Sequence, residues 1–295
     1  MSFGNLMLAE AGRLRHRSRF GLALLAAVLL GLVGPPLWMR TVVPLTADDY
    51  AAAAAQYEVA KENCTDCSVD TFLRTVWGFH ETVYIGIAPW LLLLTVFVLL
   101  VVLVYTSADF ASGAITTQLT FTPNRLKLLC ARVLTCGLLG AVLMGLSAVA
   151  LSGLSVVWYV AVRGFDSLPS DSGLLGAILG GIFLGFVAGM LGALLVFILH
   201  GGAYPGALVV AILLGCLLVE AIAYDVNLPH FMFYLMPTRH AESLVVGLAN
   251  PTYEQAPLNG TELLTRPDSV AYFVGLLVVA GVLAVISFQR RDIKN

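Results

Sequence analysis

Few residues of this 295-residue chain have the types and spacing that catalysis or metal binding requires. A phosphate-binding loop needs Gly-x-x-x-x-Gly-Lys-Ser/Thr, but every lysine of the chain lacks the preceding glycine. His80 begins a segment like the zinc motif His-Glu-x-x-His, yet Tyr84 stands where the second histidine ligand is required. The sequence therefore predicts no catalytic residue, no metal site and no cofactor bound by this chain itself.

Two further features are suggestive but not specific. Cys64 and Cys67 form a C-x-x-C pair that fits a local disulfide, a redox pair or half of a metal site. A disulfide is favoured in an oxidising compartment, because no second pair is present to complete a zinc site.

Glu220 is the one acid inside a predicted membrane segment, which is typical of transport sites. Its place near the end of that segment also fits an interfacial residue.

The composition predicts a membrane protein, because 59% of the residues are hydrophobic and only 12% are charged. A soluble domain carries about 25% charged residues, so disorder, nucleic-acid binding and a disulfide-dense secreted scaffold are excluded. Six continuous apolar stretches predict an all-α polytopic protein with six transmembrane helices. They cover 20–39, 83–106, 128–160, 174–199, 205–224 and 269–288 within a single domain, 1–295. The third stretch exceeds one crossing and must project beyond the membrane or kink near Gly153.

The distribution of Lys and Arg predicts the orientation. With the N-terminus inside, the inner segments carry ten cations against three acids, and the outer segments carry six cations against fourteen acids. Both termini are then cytoplasmic. Residues 1–19 place leucines among basic residues, as an interfacial helix on the inner leaflet or a simple positive anchor would. The basic inner segments and the expected outer disulfide suit a bacterial plasma membrane.

Glycine spacing predicts how the fourth span packs, and two outer segments predict helices outside the membrane. Gly181, Gly185 and Gly189 recur at four-residue spacing, which favours close helix packing over a substrate-lining role. The outer segment near Asp48 and Asp49 predicts a short helix, since an alanine run follows these acids. The outer segment 225–268 mixes aromatic and apolar residues, which indicates helices resting at the outer interface.

The inner loop 107–127 holds an acid, a glycine, apolar residues on one helical face, and then proline and basic residues. This order predicts a short cytoplasmic helix between the second and third spans, followed by a basic re-entry into the membrane. Apolar side chains such as Phe110, Ile115 and Leu119 in so short a loop suggest a docking surface for a partner.

This loop resembles the permease subunits of the ABC type 2 exporter superfamily. Their hallmark is acid-x-x-x-Gly-Thr-Ile-x-x-x-Leu, then a proline, a basic residue and a cation opening the third span. The matching positions in the loop and at the start of the third span are Asp109, Gly113, Ala114, Ile115, Leu119, Pro123, Arg125 and Arg132. Phe110 and Thr116 lie within the same run and belong to the coupling contact that the resemblance implies. The ending Phe288-Gln289-Arg290-Arg291-Asp292 is similar to the F-x-R-R-D ending of the same families. Asp109, Ala114 and Arg132 depart mildly from the usual Glu, Thr and Lys.

The resemblance implies that a coupling helix within 107–125 docks into a separate ATP-binding cassette subunit. That subunit would hold ATP and Mg, so this chain would not be an enzyme. A second copy or a sister permease would complete a core of twelve spans among membrane lipids. The weakly charged interior favours an amphiphilic or hydrophobic substrate such as a lipid, drug or peptide antibiotic. Two alternatives remain: a non-transport scaffold or sensor of an ABC-like complex, and a secondary transporter that uses Glu220.

Overall fold

The computed structural model describes eleven segments of the chain. They are residues 2–17, 19–62, 68–74, 79, 82–121, 124–165, 168, 173–200, 203–223, 234–249 and 264–290. These residues are mostly helical, which confirms the predicted all-α class. The extended structure in this part of the chain is one antiparallel pair, β1 (Leu248–Ala249) and β2 (Leu264–Thr265).

Twelve α-helices follow one another along the described segments. They are α1 (Phe3–Arg15), α2 (Phe20–Val33), α3 (Pro35–Trp38), α4 (Ala47–Ala60), α5 (Val69–Arg74), α6 (Ala88–Ala111), α7 (Ala114–Phe121), α8 (Arg125–Arg163), α9 (Leu174–Leu199), α10 (Ala203–Ala223), α11 (Pro237–Val246) and α12 (Arg266–Arg290). A 3-10 turn, Met39–Thr41, extends α3, and a π-helical segment, Thr82–Ile87, leads into α6.

Among the described residues, five helical segments are long and apolar enough to cross a membrane. They are Phe20–Thr41, Thr82–Ala111, Arg125–Arg163, Leu174–Leu199 and Arg266–Arg290. The length and apolar composition of these helices indicate a multi-pass membrane protein. Residues 205–223 of the stretch predicted as the fifth span, 205–224, lie in α10, where the described apolar part is the shorter run Tyr204–Cys216. The sixth span stays a prediction.

Helix α8 is the longest element and shows how the long third apolar stretch is accommodated. It runs without interruption for 39 residues and passes straight through Gly153. At about 1.5 Å per residue this length is roughly twice the 30 Å hydrocarbon core, so the helix projects beyond the membrane. Asn124 begins it as an N-cap, because its side-chain oxygen accepts a hydrogen bond of 3.1 Å from the Lys127 backbone N–H.

The centre of the bundle is the contact between α8 and α9, which depends on small residues. A Cβ built at Gly140 of α8 would collide with the backbone carbonyl oxygen of Gly185 in α9. In lipid, helices gain little by hiding apolar surface, so such close approach supplies the van der Waals contact that holds them together. Helix α2 packs on the other side of α8, where the Ser147 hydroxyl donates to the Ala27 carbonyl over 2.8 Å.

Helices α4, α5 and α11 lie in the predicted outer segments. Helix α4 starts at Ala47, close to the expected start, because Thr46 and Asp49 form a reciprocal capping box. The hydrogen bonds that Asp49 accepts from Thr46 hold the pKa of its carboxyl below the usual value. Helix α11 is fixed to α12 through buried His240, whose Nδ1 lies 3.2 Å from the Ser269 hydroxyl and whose ring stacks on Tyr272.

Candidate functional site

Asp109, the acid that opens the family-like motif, lies in the interior of the chain and not on its surface. It lies in the last turn of α6 and is only 3% exposed. Its carboxylate lies 2.7 Å from Arg13 of α1 and 3.1 Å from Arg132 of α8, and it also pairs with Arg17 from the α1–α2 turn. A buried carboxylate needs such partners, because an unpaired charge out of water is very costly. Asp109 therefore joins three elements inside this chain.

A second buried acid, Glu10 of α1, completes the group and ties it to α7. Glu10 is 2% exposed and lies 3.0 Å from Arg13 and 3.4 Å from Arg132. The Gln118 side chain of α7 donates to the Glu10 carboxylate over 2.8 Å and accepts from Arg132 over 3.1 Å. Gln118 therefore bonds to one negative and one positive side chain, and so attaches α7 to α1 and α8.

We name Glu10, Arg13, Arg17, Asp109 and Arg132 the arginine–carboxylate cluster. It holds three cations against two acids, and so carries one excess positive charge. Burial, together with the nearby charges of Arg13 and Arg132, lowers the pKa of the Arg17 guanidinium below its usual value. Removing one member of such a group leaves another buried charge without its partner, so the cluster is sensitive to single changes.

The apolar residues expected at a docking surface instead contact this chain. Ile115 is 4% exposed and belongs to the main core, and Leu119 packs against the same core. The Phe110 ring is half-buried and lies edge-on to Phe197, with ring centres 5.1 Å apart. The expectation of surface apolar groups is not met at these positions, because α7 folds back onto the bundle and needs an apolar face of its own to do so.

Gly113 supplies the joint between α6 and α7. Its φ of 68° lies in the left-handed region, which side chains with a Cβ rarely adopt. The chain can therefore end α6 and begin α7 within two residues, and the short connection keeps α7 beside the end of α6. The described side chains left exposed on α7 are those of Thr117 and Thr120.

Arg125, the basic residue of the motif, contacts the other end of the chain. Its Nη1 donates to the Phe288 backbone carbonyl over 3.2 Å. Phe288 lies in the last turn of α12, where carbonyl groups lack partners within the helix and favour a cation. This contact links the start of α8 to the end of α12, so the two family-like motifs of the sequence meet at one place.

The predicted packing glycines lie on two sides of α9. A Cβ built at Gly185 would lie 2.6 Å from the Gly140 carbonyl oxygen, and one at Gly189 would collide with the Cys136 carbonyl. Both positions therefore face α8 at backbone contact distance. Gly181 faces α6 instead, where a Cβ would lie 3.4 Å from the Leu91 side chain.

Several predicted residues cannot be placed in this site. Cys64, Cys67 and Pro123 lie outside the described residues. Glu220 lies in α10 and Thr116 in α7, but their side chains are outside the described part of the structure. Within the described residues there is no group of three His, Cys, Asp or Glu side chains that could hold a metal ion.

From the sequence, Glu10, Arg13 and Arg17 count only as inner charges that set the orientation, and Gln118 has no assigned role. A signal was present, because Leu6, Glu10, Arg13 and Arg17 are spaced by four, three and four residues. This spacing places them on one helical face. A lone acid on the apolar side of a basic helix indicates a buried partner. The identity of that partner, Arg132, depends on the tertiary fold.

Comparisons with known proteins identify no relative. No protein-family model, no curated protein and no solved structure matches the chain.

Proposed function

We propose that this chain is the transmembrane permease subunit of an ATP-driven ABC exporter and works with a separate ATP-binding cassette subunit. The observation that supports this proposal most directly is the attachment of α7 to the bundle. Gln118 links α7 to Glu10 of α1 and to Arg132 of α8, and the short joint at Gly113 links it to α6. A force applied to α7 would therefore reach both neighbouring spans.

In this mechanism, α7 is the coupling helix and transmits motion from the ATPase subunit. ATP binding and hydrolysis would displace α7, and the buried charges would carry that displacement into α6 and α8. Work is done only if ATP favours one of two permease conformations over the other. The close contact at Gly140 and Gly185 favours a rigid α8–α9 pair that moves as one body.

The surface offered to the ATPase subunit is polar and small. Thr117 and Thr120 are exposed, and their hydroxyls bond to backbone carbonyls within the same helix or at its start. With Asp109 and Ile115 buried, these residues position α7, while the threonine face would make the contact. The ATPase groove would then recognise the shape of the helix more than its charge.

The remaining features of this proposal follow from the sequence. Six spans with both termini in the cytoplasm place α7 on the cytoplasmic side, where ATP is available. A second copy or a sister permease would complete the transport path. The membrane would be a bacterial plasma membrane. The substrate would be amphiphilic or hydrophobic, because Arg132 is the one charged side chain among the buried described residues of α8 and α9.

The test is to purify tagged chain from its native membrane in mild detergent, identify the bound proteins and assay ATP hydrolysis. We expect a subunit with a phosphate-binding loop, and we expect Thr117→Arg with Thr120→Arg to abolish its recovery. Gln289→Arg is the matched control, because it adds a cation at an exposed position near the same end of the bundle. The control should retain the ATPase subunit.

Two results would contradict the proposal. Recovery of the stable chain alone, without ATPase activity, would favour a scaffold or a secondary transporter. Equal loss of the ATPase subunit in the Gln289→Arg control would show that added charge, and not the α7 face, disrupts the complex.

A further inference from the structure

His200 ends α9 with a backbone conformation that residues with a side chain rarely adopt. Its φ of 56° and ψ of 45° lie in the left-handed region, and in the described part of the chain no other residue with a Cβ has a positive φ. A glycine would adopt this conformation without strain, and the sequence places glycines directly afterwards, at 201 and 202. A histidine at this position therefore indicates a role for its side chain that outweighs the strain.

The His200 ring contacts both the end of its own helix and α6. Its Nδ1 lies 3.0 Å from the Ile198 carbonyl oxygen, and since a carbonyl only accepts, Nδ1 carries the donated hydrogen. The Ser287 hydroxyl of α12 donates to the same carbonyl over 3.1 Å. On the α6 side, the Phe110 ring lies edge-on to His200, with ring centres 6.1 Å apart. The hydrogen bond to Ile198 thus orients a ring that packs against Phe110.

Phe110 belongs to a row of rings that joins the ends of three helices. It lies edge-on to Phe197 of α9 with ring centres 5.1 Å apart, and Phe197 lies edge-on to Phe288 of α12 over 5.2 Å. Phe197 and Phe288 are part of the buried core. Edge-on pairs of this kind add attraction beyond the area that they bury. We name Phe110, Phe197, His200 and Phe288 the aromatic link.

The aromatic link is attached to the joint between α6 and α7. The Gly113 N–H donates to the Phe110 carbonyl over 3.3 Å, so the backbone of the joint and Phe110 are connected directly. Phe110 also follows Asp109, whose side chain belongs to the arginine–carboxylate cluster. That cluster contacts α1 and α8, whereas the aromatic link contacts α9 and α12. The last turn of α6 is therefore held by two different groups of side chains.

We propose that His200 is a positioning residue that holds Phe110 against the end of α9, so that the aromatic link transmits motion of the α6–α7 joint to α9 and α12. This inference rests on the proposed coupling role of α7, to which it adds a second route of transmission. The contact between His200 and Phe110 can be tested without the ATPase subunit.

His200→Gly separates a positioning role from a purely structural one. Glycine adopts a φ of 56° without strain, so the unfolding midpoint in detergent should stay the same or rise. Loss of the ring should nevertheless quicken hydrogen exchange of residues 110–121 about fivefold, because Phe110 loses an edge-on partner. Tyr204→Ala is the matched control, since it removes an exposed ring four residues further along the chain. The control should leave exchange of residues 110–121 unchanged.

A double-mutant cycle tests whether His200 acts through Phe110. Phe110→Leu should quicken exchange of the same residues, and adding His200→Gly should change it little further, because the ring that His200 positions is already absent. In the purified complex, His200→Gly should keep the ATPase subunit bound and lower ATP hydrolysis about fivefold, as expected for loss of coupling.

Four results would overturn the proposal. A lower unfolding midpoint in His200→Gly, with faster exchange throughout the bundle, would show a structural role alone. Unchanged exchange of residues 110–121, or additive effects of Phe110→Leu and His200→Gly, would show that His200 does not position Phe110. Equal acceleration in Tyr204→Ala would show that this end of the chain responds to any lost ring. If no ATPase subunit is recovered, the proposed function fails, while the exchange data and the cycle still decide whether His200 positions Phe110.

Discussion

Arg132 and Asp109 lie 3.1 Å apart although neither side chain is more than 4% exposed, and they belong to different helices, α8 and α6. A buried ion pair of this kind gains little net stability over a well-packed apolar pair, because both ions lose their water. It does, however, penalise every arrangement in which the two helices separate. The pair therefore specifies how the ends of these helices meet.

Removal of the Arg132 side chain should destabilise the chain strongly. Arg132→Met leaves Asp109 and Glu10 buried with fewer partners, which costs about 3–5 kcal/mol in comparable buried pairs. Thermal unfolding in detergent should show a clearly lower midpoint. Arg132→Lys keeps the charge, so its unfolding midpoint should fall less than that of Arg132→Met. An unchanged midpoint in Arg132→Met would contradict the buried contacts of Arg132 with Asp109 and Glu10.

Substitution of Gln118 should loosen α7 with a smaller effect on the whole chain. Gln118→Leu removes the hydrogen bonds with Glu10 and Arg132, each with a net contribution of about 1 kcal/mol, and leaves a Glu10 oxygen with one partner fewer. Hydrogen exchange should quicken in α7 and remain unchanged in the centre of α9. Thr120→Val, on the exposed side of the same helix, is the control. Equal protection of α7 in wild type and Gln118→Leu would contradict this role.

Gly113 should tolerate asparagine better than alanine. Its φ of 68° strains a residue with a Cβ by about 1–2 kcal/mol, but asparagine enters this region more readily. Gly113→Ala should therefore lower the unfolding midpoint more than Gly113→Asn. If the chain is an ABC permease, Gly113→Ala should also reduce recovery of the ATPase subunit. If Gly113→Asn lowered the unfolding midpoint more than Gly113→Ala, the left-handed joint between α6 and α7 would not lie at Gly113.

The contact between α8 and α9 can be tested with two glycines. A Cβ at Gly185 would lie 2.6 Å from the Gly140 carbonyl oxygen, whereas one at Gly153 meets nothing within 4 Å. Gly185→Ala should cost about 1–3 kcal/mol by overpacking, and Gly153→Ala should be neutral or stabilising, since alanine favours helix. Unfolding in detergent measures both. Similar midpoints for the two variants would contradict backbone contact at Gly185.

Composition and hydropathy predicted the helical class and the apolar helices, because in lipid the backbone must satisfy its own hydrogen bonds. The acids Asp48 and Asp49 before an alanine run also predicted α4 closely, although its N-cap is Thr46. The role of Asp109 was not predictable in the same way. Its partners Arg13 and Arg132 are distant in sequence, and a motif shows which residues recur in a loop but not whether they face a partner or the chain itself. Glu10 was missed for the same reason.

The long sequence separation within the arginine–carboxylate cluster constrains how the protein is made. Arg13 precedes Asp109 by 96 residues, and Glu10 precedes Arg132 by 122. Since a ribosome delivers the chain from its N-terminus, α1 emerges long before either partner exists. The nascent α1 must keep Glu10 and its arginines hydrated until α6 and the start of α8 have been inserted. The cluster then closes late, as a step of biogenesis that joins the first helix to helices synthesised about a hundred residues afterwards.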